Sequence, residues 1–212
     1  DEGKMVTNAW VELKNEEDPD SPETPDTFWY YFEKDGKSAV SKWVKFDSKW
    51  YYFDESGHMA TGKTEIDGAT YYLGTEKDGF MRTGWIRLEE NSHAPGASES
   101  WYYFNSDGKM VTTQYDKKID GSYYTFIDGK MQTGWLLYNN TWYYLSESGA
   151  MVTGWITLGD KAYYLGGDGG MLTGWQNIDG QIYYLYPDGH KAVNEVIDTF
   201  YVDQDGIWRK PQ

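Results

Sequence analysis

Tryptophan and tyrosine are the side chains whose numbers and spacing could do chemistry in this sequence. The chain has 11 Trp and 20 Tyr, and aromatic residues make up 18% of it. Trp43 and Trp50 lie seven residues apart, as do Trp135 and Trp142. These rings combine a large apolar surface with polar edges or tips. We therefore expect them to line half-solvated recognition sites rather than an ordinary aliphatic core.

Catalytic chemistry is not supported by the motifs. The sequence has no nucleophile elbow, no phosphate-binding loop and no metal-ligand cluster. Carboxylates are plentiful, but many precede a turn glycine, as at Asp107, Asp128, Asp168 and Asp188, where the turn itself explains them. The three histidines lie far apart, and the absence of cysteine excludes disulfides and thiolate metal sites. The sequence therefore predicts a chain that is not an enzyme and that uses no metal or cofactor.

The net charge narrows the choice of partner. Lys and Arg number 19 and Asp and Glu number 34, which gives a formal net charge of −15. Such a chain repels phosphate backbones, so nucleic acid is not expected as a partner. The charge favours a cationic ligand, although simple solubility explains the charge as a whole better. No apolar run approaches the roughly 18 residues of a membrane helix, so no membrane insertion is expected.

An aromatic repeat of about 20 residues runs along the chain. An aromatic doublet recurs, usually followed five residues later by Gly, and every Met stands two residues after a Gly. A Thr-Gly-Trp triplet follows the Met in four of the units. Internal repetition of this kind indicates a repeat architecture. The doublets begin at Tyr30, Tyr51, Tyr71, Tyr102, Tyr123, Tyr143, Tyr163, Tyr183 and Phe200, and the methionines are Met5, Met59, Met81, Met110, Met131, Met151 and Met171.

Each unit has the pattern of a β-hairpin. Dipeptides that tolerate positive φ angles, such as Asp67-Gly68 and Asn139-Asn140, separate aromatic and β-branched runs. One hairpin alone is marginal in water, so neighbouring hairpins are expected to stack. The sequence predicts a single module over residues 1–212 with about nine units, of which the first is truncated. Insertions near 11–27 and 86–100 are predicted to be extended hairpin loops, and residues near 196–212 a terminal cap.

The order of TGW, WYY and Gly-x-Met resembles the choline-binding repeats of streptococcal and phage wall proteins, including the C-terminal modules of murein hydrolases. Residues 133–151 carry the full pattern, and the match covers essentially the whole chain apart from the two insertions. The resemblance implies an all-β, left-handed β-solenoid of stacked β-hairpin repeats. It also implies ligand sites between consecutive hairpins. Each is walled by the TGW Trp, the first residue of the WYY triplet and the first Tyr of the next triplet, and Met often closes it.

On this chain the resemblance gives four complete sets of walls and three weaker ones. At one further junction Lys63 and Thr70 replace both Trp before Tyr102, and a cation there is expected to reject choline. The weaker sets contain Tyr115 and Tyr143 around Ser122, Trp155 and Tyr183 around Ala162, and Trp175 and Phe200 around Ile182. The complete sets are Trp43, Trp50 and Tyr71; Trp135, Trp142 and Tyr163; Trp85, Trp101 and Tyr123; and Trp10, Trp29 and Tyr51.

The function implied by the resemblance is binding at the bacterial surface. We expect a non-catalytic, extracellular module that holds the choline or phosphocholine of teichoic and lipoteichoic acids by cation–π contacts. Such a module anchors a surface protein or a murein hydrolase to the cell wall. A glucan-binding repeat module stays open as an alternative, as does a structural or adhesive stalk that displays acidic loops to a host protein. A homodimer is also compatible with the sequence.

Overall fold

The fold consists of β-hairpins. The computed structural model describes residues 5–15, 25–89 and 98–210, and within these ranges every regular element is a β-strand. The 19 strands of the described ranges pair as nine antiparallel hairpins, one of which carries a third short strand. None of the described segments is a helix with the length and apolarity that crossing a membrane requires. The prediction of an all-β fold of repeated hairpins is confirmed.

Two compact units divide the chain, and the first, Asp1–Thr112, holds four hairpins. The predicted insertions fall between the two strands of hairpin 1 and of hairpin 4, because the flanking residues still pair. Residues 16–24 and 90–97 lie outside the described residues. Hairpin 1 pairs β1 (Ala9–Lys14) with β2 (Thr27–Phe32), hairpin 2 pairs β3 (Lys42–Phe46) with β4 (Lys49–Phe53), hairpin 3 pairs β5 (Lys63–Ile66) with β6 (Ala69–Tyr72), and hairpin 4 pairs β7 (Gly84–Glu89) with β8 (Glu99–Phe104).

The second unit, Thr113–Gln212, holds five hairpins. Hairpin 5 is a three-stranded sheet of β9 (Gln114–Ile119), β10 (Ser122–Ile127) and β11 (Lys130–Met131). Hairpin 6 pairs β12 (Gly134–Tyr138) with β13 (Thr141–Leu145), hairpin 7 pairs β14 (Gly154–Leu158) with β15 (Lys161–Leu165), hairpin 8 pairs β16 (Gly174–Ile178) with β17 (Gln181–Leu185), and hairpin 9 pairs β18 (Glu195–Ile197) with β19 (Phe200–Val202).

Residues in the left-handed conformation at the tips explain why these segments fold as hairpins. Asn139 and Asn140 have φ angles of 48° and 61° at the tip of hairpin 6. Asp47 and Ser48 have 47° and 63° at the tip of hairpin 2. Two consecutive positive φ angles are typical of a type I′ turn, whose twist matches that of the paired strands. Asn, Asp and Gly adopt this conformation most readily, so the tips follow from the sequence.

One fully buried side chain near the end of the second strand forms the core of each hairpin from 2 to 9. It follows the aromatic doublet, and the doublet itself is mostly only partly buried. Full burial of such a side chain stabilises the fold by about 1.5–3 kcal/mol. The stacking core is therefore separate from the exposed aromatic rings. Its members are Phe53, Leu73, Phe104, Phe126, Leu145, Leu165, Leu185 and Val202.

The methionine segment links consecutive hairpins within each unit. The backbone N–H of Met171, in the turn after hairpin 7, donates to the carbonyl oxygen of Trp142 in hairpin 6 at 2.7 Å. The N–H of Met81 donates in the same way to Trp50 at 2.8 Å. The sulfur of Met171 also packs against Gly189 in the next turn, where a Cβ atom would overlap it. At most junctions a backbone bond and a sulfur contact thus fix a hairpin to its neighbour; Gly57 and Gly206 contact no sulfur.

Hairpin 5 departs from the register that its spacing predicts. Tyr124 pairs with Lys117 and Phe126 with Gln114, so two residues of β9 face the single residue Thr125. This is a β-bulge. The Thr125 hydroxyl donates to the Tyr115 carbonyl oxygen at 2.7 Å and holds the bulge in place.

The bulge moves the aromatic residues of hairpin 5 by one position. Counting back from the turn glycine places Tyr123 in the position of Tyr143 and leaves Ser122 in that of Trp142. The Met151 N–H, however, donates to the carbonyl of Tyr123 at 2.8 Å, as Met171 bonds to Trp142. Tyr123 is also 40% exposed, close to the 42% of Trp142. The register therefore places Tyr123, and not Ser122, at the position that Trp142 occupies in hairpin 6.

Candidate aromatic binding sites

The site at the junction of hairpins 6 and 7, called site 6/7, has three aromatic walls. Trp135 and Trp142 lie with ring centroids 6.3 Å apart at 89°, and Trp135 and Tyr163 lie 5.1 Å apart at 68°. The walls surround a cavity of about 320 Å³ that Met171 and Asp188 also line. The structure thus brings together all three residues of this predicted set.

The hairpin register positions these walls. Trp135 lies opposite Tyr144 and Trp142 lies opposite Leu137, so the two Trp stand at different heights of the same two-stranded ribbon. Trp142 follows the tip Asn139-Asn140 closely and is 42% exposed, because the tip projects beyond the buried Leu145. The arrangement leaves the ring faces available to a ligand while the core stays covered.

Site 1/2, at the junction of hairpins 1 and 2, repeats this geometry. Trp10 lies 6.4 Å from Trp29 at 73° and 4.8 Å from Tyr51 at 67°. With Met59 they surround a cavity of about 150 Å³, whose other lining residues come from the turn after hairpin 3. Burial, with the nearby Asp47 and Asp78 carboxylates, raises the pKa of Tyr51 above its usual value, so its phenol is neutral.

Site 2/3 also contains its three predicted residues. Trp43 lies 5.0 Å from Tyr71 at 63°, and Tyr71 is buried. Trp50 is 41% exposed, and its carbonyl accepts from Met81. The Nζ atom of Lys45, opposite Trp50 in the hairpin, lies 5.7 Å from the Trp50 ring centroid. The exposed Trp50 face already attracts a cation in the absence of ligand.

The fourth complete set has members in both units. Trp85 and Trp101 belong to hairpin 4 of the first unit and lie 6.5 Å apart at 85°, the same edge-to-face pairing as in site 6/7. Tyr123 belongs to hairpin 5 of the second unit, where its register position is that of Trp142 in hairpin 6. Within hairpin 4 the structure brings Trp85 and Trp101 together.

Site 5/6 has more aromatic walls than its weak sequence pattern predicts. Tyr115, Tyr123 and Tyr143 line a cavity of about 360 Å³ together with Tyr138 and Met151. Tyr138 stacks on Tyr115 with centroids 4.1 Å apart at 14°. Four tyrosines thus replace the two rings that spacing alone places here.

The junction of hairpins 7 and 8 keeps two walls of its set. Trp155 and Tyr183 lie 4.9 Å apart at 67°, and Ala162 supplies no third ring. The Nζ atom of Lys191 lies 5.2 Å from the Trp155 centroid and 5.7 Å from that of Tyr183. An internal cation therefore faces both rings.

The junction of hairpins 8 and 9 carries an aromatic residue that spacing did not assign to it. Trp175 lies 5.8 Å from Phe200 at 84°, and Phe200 lies 6.1 Å from Trp208 at 72°. With Ile182 they line a cavity of about 240 Å³. Trp208 stands two residues after Gly206, which is the methionine position of the repeat. That rule could have identified Trp208, and likewise Lys191 after Gly189.

A turn carboxylate lines three of the sites, and sequence reasoning missed this second role. Asp78 lines site 1/2, Asp168 lines site 5/6 and Asp188 lines site 6/7, each from a turn two hairpins further along. Partial burial alone would raise the pKa of Asp188, but hydrogen bonds and charge from His190, with Lys161, outweigh this and lower it. Asp188 therefore presents a negative charge beside the aromatic walls. The described residues contain no group of three or more potential metal ligands.

These features define a class of tandem β-hairpin proteins with aromatic clusters at the hairpin junctions. The chain belongs to the choline-binding repeat family. The family profile described as choline-binding repeat matches residues 40–85, 117–153 and 152–196, and the profile described as putative cell wall binding repeat matches residues 97–110. A comparison with curated proteins gave no match.

Solved structures of Streptococcus pneumoniae proteins share the fold. The structure of CbpJ has 31% sequence identity and a TM-score of 0.80, and the alignment covers 97% of this chain and 72% of that one. The structure of choline binding protein F in the presence of a tetrasaccharide-pentapeptide peptidoglycan analogue has 33% identity and a TM-score of 0.77, with 98% and 72% covered. The autolysin LytC with a synthetic peptidoglycan ligand has 25% identity and a TM-score of 0.62, with 85% and 40% covered.

Proposed function

We propose that this chain binds choline in aromatic cages at its hairpin junctions and so attaches to the choline-bearing teichoic and lipoteichoic acids of the bacterial cell wall. The observation that carries the proposal is site 6/7. Trp135, Trp142 and Tyr163 surround one cavity, Met171 closes it, and the Asp188 carboxylate lies at its edge. Family membership supports choline as the ligand.

The chemistry of choline fits such a site. A quaternary ammonium donates no conventional hydrogen bond, so a carboxylate alone is a poor selective receptor. Aromatic faces supply negative electrostatic potential and apolar contact together, at about 0.5–2 kcal/mol for each ring. Three rings therefore support an affinity on the order of millimolar. A carboxylate such as Asp188 adds attraction over a longer range.

Four junctions are proposed as cages with all their walls: sites 1/2, 2/3, 5/6 and 6/7. Site 5/6 joins this group because the register adds Tyr123 and the fold adds Tyr138. Trp85 and Trp101 are proposed as two walls of a further cage. The junction of hairpins 8 and 9 is proposed as a weaker cage, because Ile182 takes the place of one ring.

Several weak cages on one chain account for anchoring. Teichoic acids present many choline groups on one polymer, so the second binding event becomes intramolecular. Avidity can then exceed the affinity of a single site by about 10²–10⁴. The module needs no catalytic group for this role. We propose an extracellular location at the wall, with the module serving to hold an attached protein there.

The test is calorimetric titration of the chain with choline chloride and, in parallel, with an isomaltooligosaccharide. We expect millimolar binding of choline at several sites and no heat from the sugar. Trp142→Ala should remove one choline site. The matched control Trp155→Ala should remove none, because its junction lacks a third ring at Ala162 and Lys191 faces both remaining rings. Binding of the sugar without choline would move the chain to the glucan-binding class. No binding of either would favour a structural stalk.

A further inference from the structure

The junction of hairpins 7 and 8 is built like site 6/7 except at two positions. The Trp155–Tyr183 corner measures 4.9 Å and 67°, against 5.1 Å and 68° for Trp135–Tyr163. The backbone link is also retained, since Lys191 N–H donates to the Ala162 carbonyl oxygen at 2.8 Å. The two differences are Ala162 in place of a Trp and Lys191 in place of a Met.

The side chain of Lys191 reaches into the corner that these differences leave. Its Nζ atom lies 5.2 Å from the Trp155 centroid and 5.7 Å from the Tyr183 centroid, within the roughly 6 Å range of a cation–π contact. The same Nζ donates to the backbone carbonyl oxygen of Asp205 at 2.7 Å. Asp205 belongs to the turn after hairpin 9. It stands relative to hairpins 7 and 8 as Asp188, which lines site 6/7, stands relative to hairpins 6 and 7.

We infer that Lys191 is a resident cationic ligand of this junction, which closes the cage to choline and holds hairpins 7, 8 and 9 together without it. The inference rests on the proposed function. A tethered ammonium loses no translational freedom on binding and acts at a high effective concentration. Free choline, with an affinity on the order of millimolar at one site, cannot compete with it.

A second junction shows the same principle with a lysine from another position. Lys63, in the first wall position of hairpin 3, places its Nζ atom 5.3 Å from the centroid of Tyr102 in hairpin 4. Thr70 stands where site 6/7 has Trp142, and its carbonyl oxygen accepts from Met110 at 2.8 Å. At both junctions the ammonium thus reaches an aromatic ring of another hairpin. Lys45 near Trp50 and Lys118 near Tyr123 differ from this, because each lies over the ring of its cross-strand partner within one hairpin.

The first test rebuilds the cage. The double variant Ala162→Trp with Lys191→Met restores both positions to the residues of site 6/7. We expect calorimetry to show one choline site more than in the wild type. Ala162→Trp alone should gain none, because Lys191 still occupies the corner. A gained site in the single variant, or none in a folded double variant, overturns the inference. A wild-type chain that binds no choline overturns the proposed function instead.

The second test needs no ligand and covers a double variant that fails to fold. In choline-free buffer Lys191→Met should lower the thermal midpoint of unfolding, and Lys191→Arg, which keeps a cation, should restore most of it. Lys34→Met, at an exposed turn lysine, is the control. Added choline should raise the midpoint of Lys191→Met more than that of the wild type. If Lys191→Met unfolds at the same temperature as the control, the inference is overturned.

Discussion

Site 6/7 and the junction of hairpins 7 and 8 share one scaffold but differ in what faces their aromatic rings. Hairpins 6 and 7 have five residue pairs each in the same register, and both bury a leucine, Leu145 and Leu165, almost completely. Their Trp–Tyr corners agree within 0.2 Å and 1° (5.1 Å and 68° against 4.9 Å and 67°). Around the Trp–Tyr corner, the exposed wall changes from Trp142 to Ala162 and the methionine position from Met171 to Lys191.

The comparison teaches that stacking and recognition use different residues. The buried side chain after each doublet and the backbone bond from the following turn hold the hairpins together. The exposed wall and the side chain two residues after the turn glycine decide what faces the rings. On the proposed function, a junction would gain or lose a choline site by substitution at these two positions while the core remains unchanged.

The largest effect that could break this comparison lies in the core. Leu145→Ala and Leu165→Ala should each lower the free energy of unfolding by about 2–5 kcal/mol, because both side chains are fully buried. The two losses should be alike although only one of the two junctions is proposed as an open site. Urea denaturation followed by circular dichroism measures them. Leu137→Ala, at a leucine that is 52% exposed, is the control and should change little. Unequal losses would mean that core and site are coupled.

An intermediate effect at site 5/6 tests whether the wall position follows the register. Tyr123→Ala should weaken choline binding at this site by about 2- to 30-fold, the equivalent of about 0.5–2 kcal/mol for one ring. Ser122→Ala, one residue earlier, should leave it unchanged. Titration of both variants with choline gives the answer. Weaker binding of Ser122→Ala alone would return the wall to the position that simple spacing assigns.

The smallest effect concerns the turn that anchors Lys191. Backbone hydrogen bonds from Ile207 and Asp205, with the Arg209 guanidinium, hold the pKa of Asp203 below its ordinary value. Because its pKa is lower in the folded state, the Asp203 carboxylate stabilises the folded chain at pH values above its unfolded pKa of about 3.9. This stabilisation is lost as the pH falls through the folded-state pKa.

The thermal midpoint measured at falling pH checks this expectation. It should decrease less steeply below about pH 4 in Asp203→Asn than in the wild type, because the variant has no carboxylate to protonate there. Asp198→Asn, at the tip of the same hairpin, is the matched control, and it should keep the acid dependence of the wild type. Identical curves for wild type and Asp203→Asn would remove Asp203 from the account of this turn.

Much of the fold could be predicted from the sequence because its signals are local. Positive φ angles at Asn139 and Asn140 follow from residue type, and period and doublets give the number of hairpins. Two complete junction sets in the first unit and site 6/7 in the second assemble at the predicted residues. That these residues bind choline stays a prediction.

The remaining features depend on side-chain reach and on compensating changes of length. In hairpin 5 the bulge adds one residue to β9, and the turn after β10 is one residue shorter than in the other hairpins. The two changes cancel, so the spacing from the start of the hairpin to Gly129 stays normal and hides the shift of Tyr123. Lys191 and Trp208 occupy the methionine position, but only the folded chain shows that their side chains reach the neighbouring aromatic walls.

The repeated contact between methionine sulfur and turn glycine is the place where oxidation of the methionines would disturb the stack. Met131 packs on Gly149, Met151 on Gly169 and Met171 on Gly189, with too little room for even a Cβ atom on the glycine. Conversion to the sulfoxide adds a polar oxygen to a side chain that is packed this tightly. An oxidant would thus strike the same contact at successive junctions along the second unit. The series ends at Gly206, which faces the methylene groups of Lys191, so that contact contains no sulfur to oxidise.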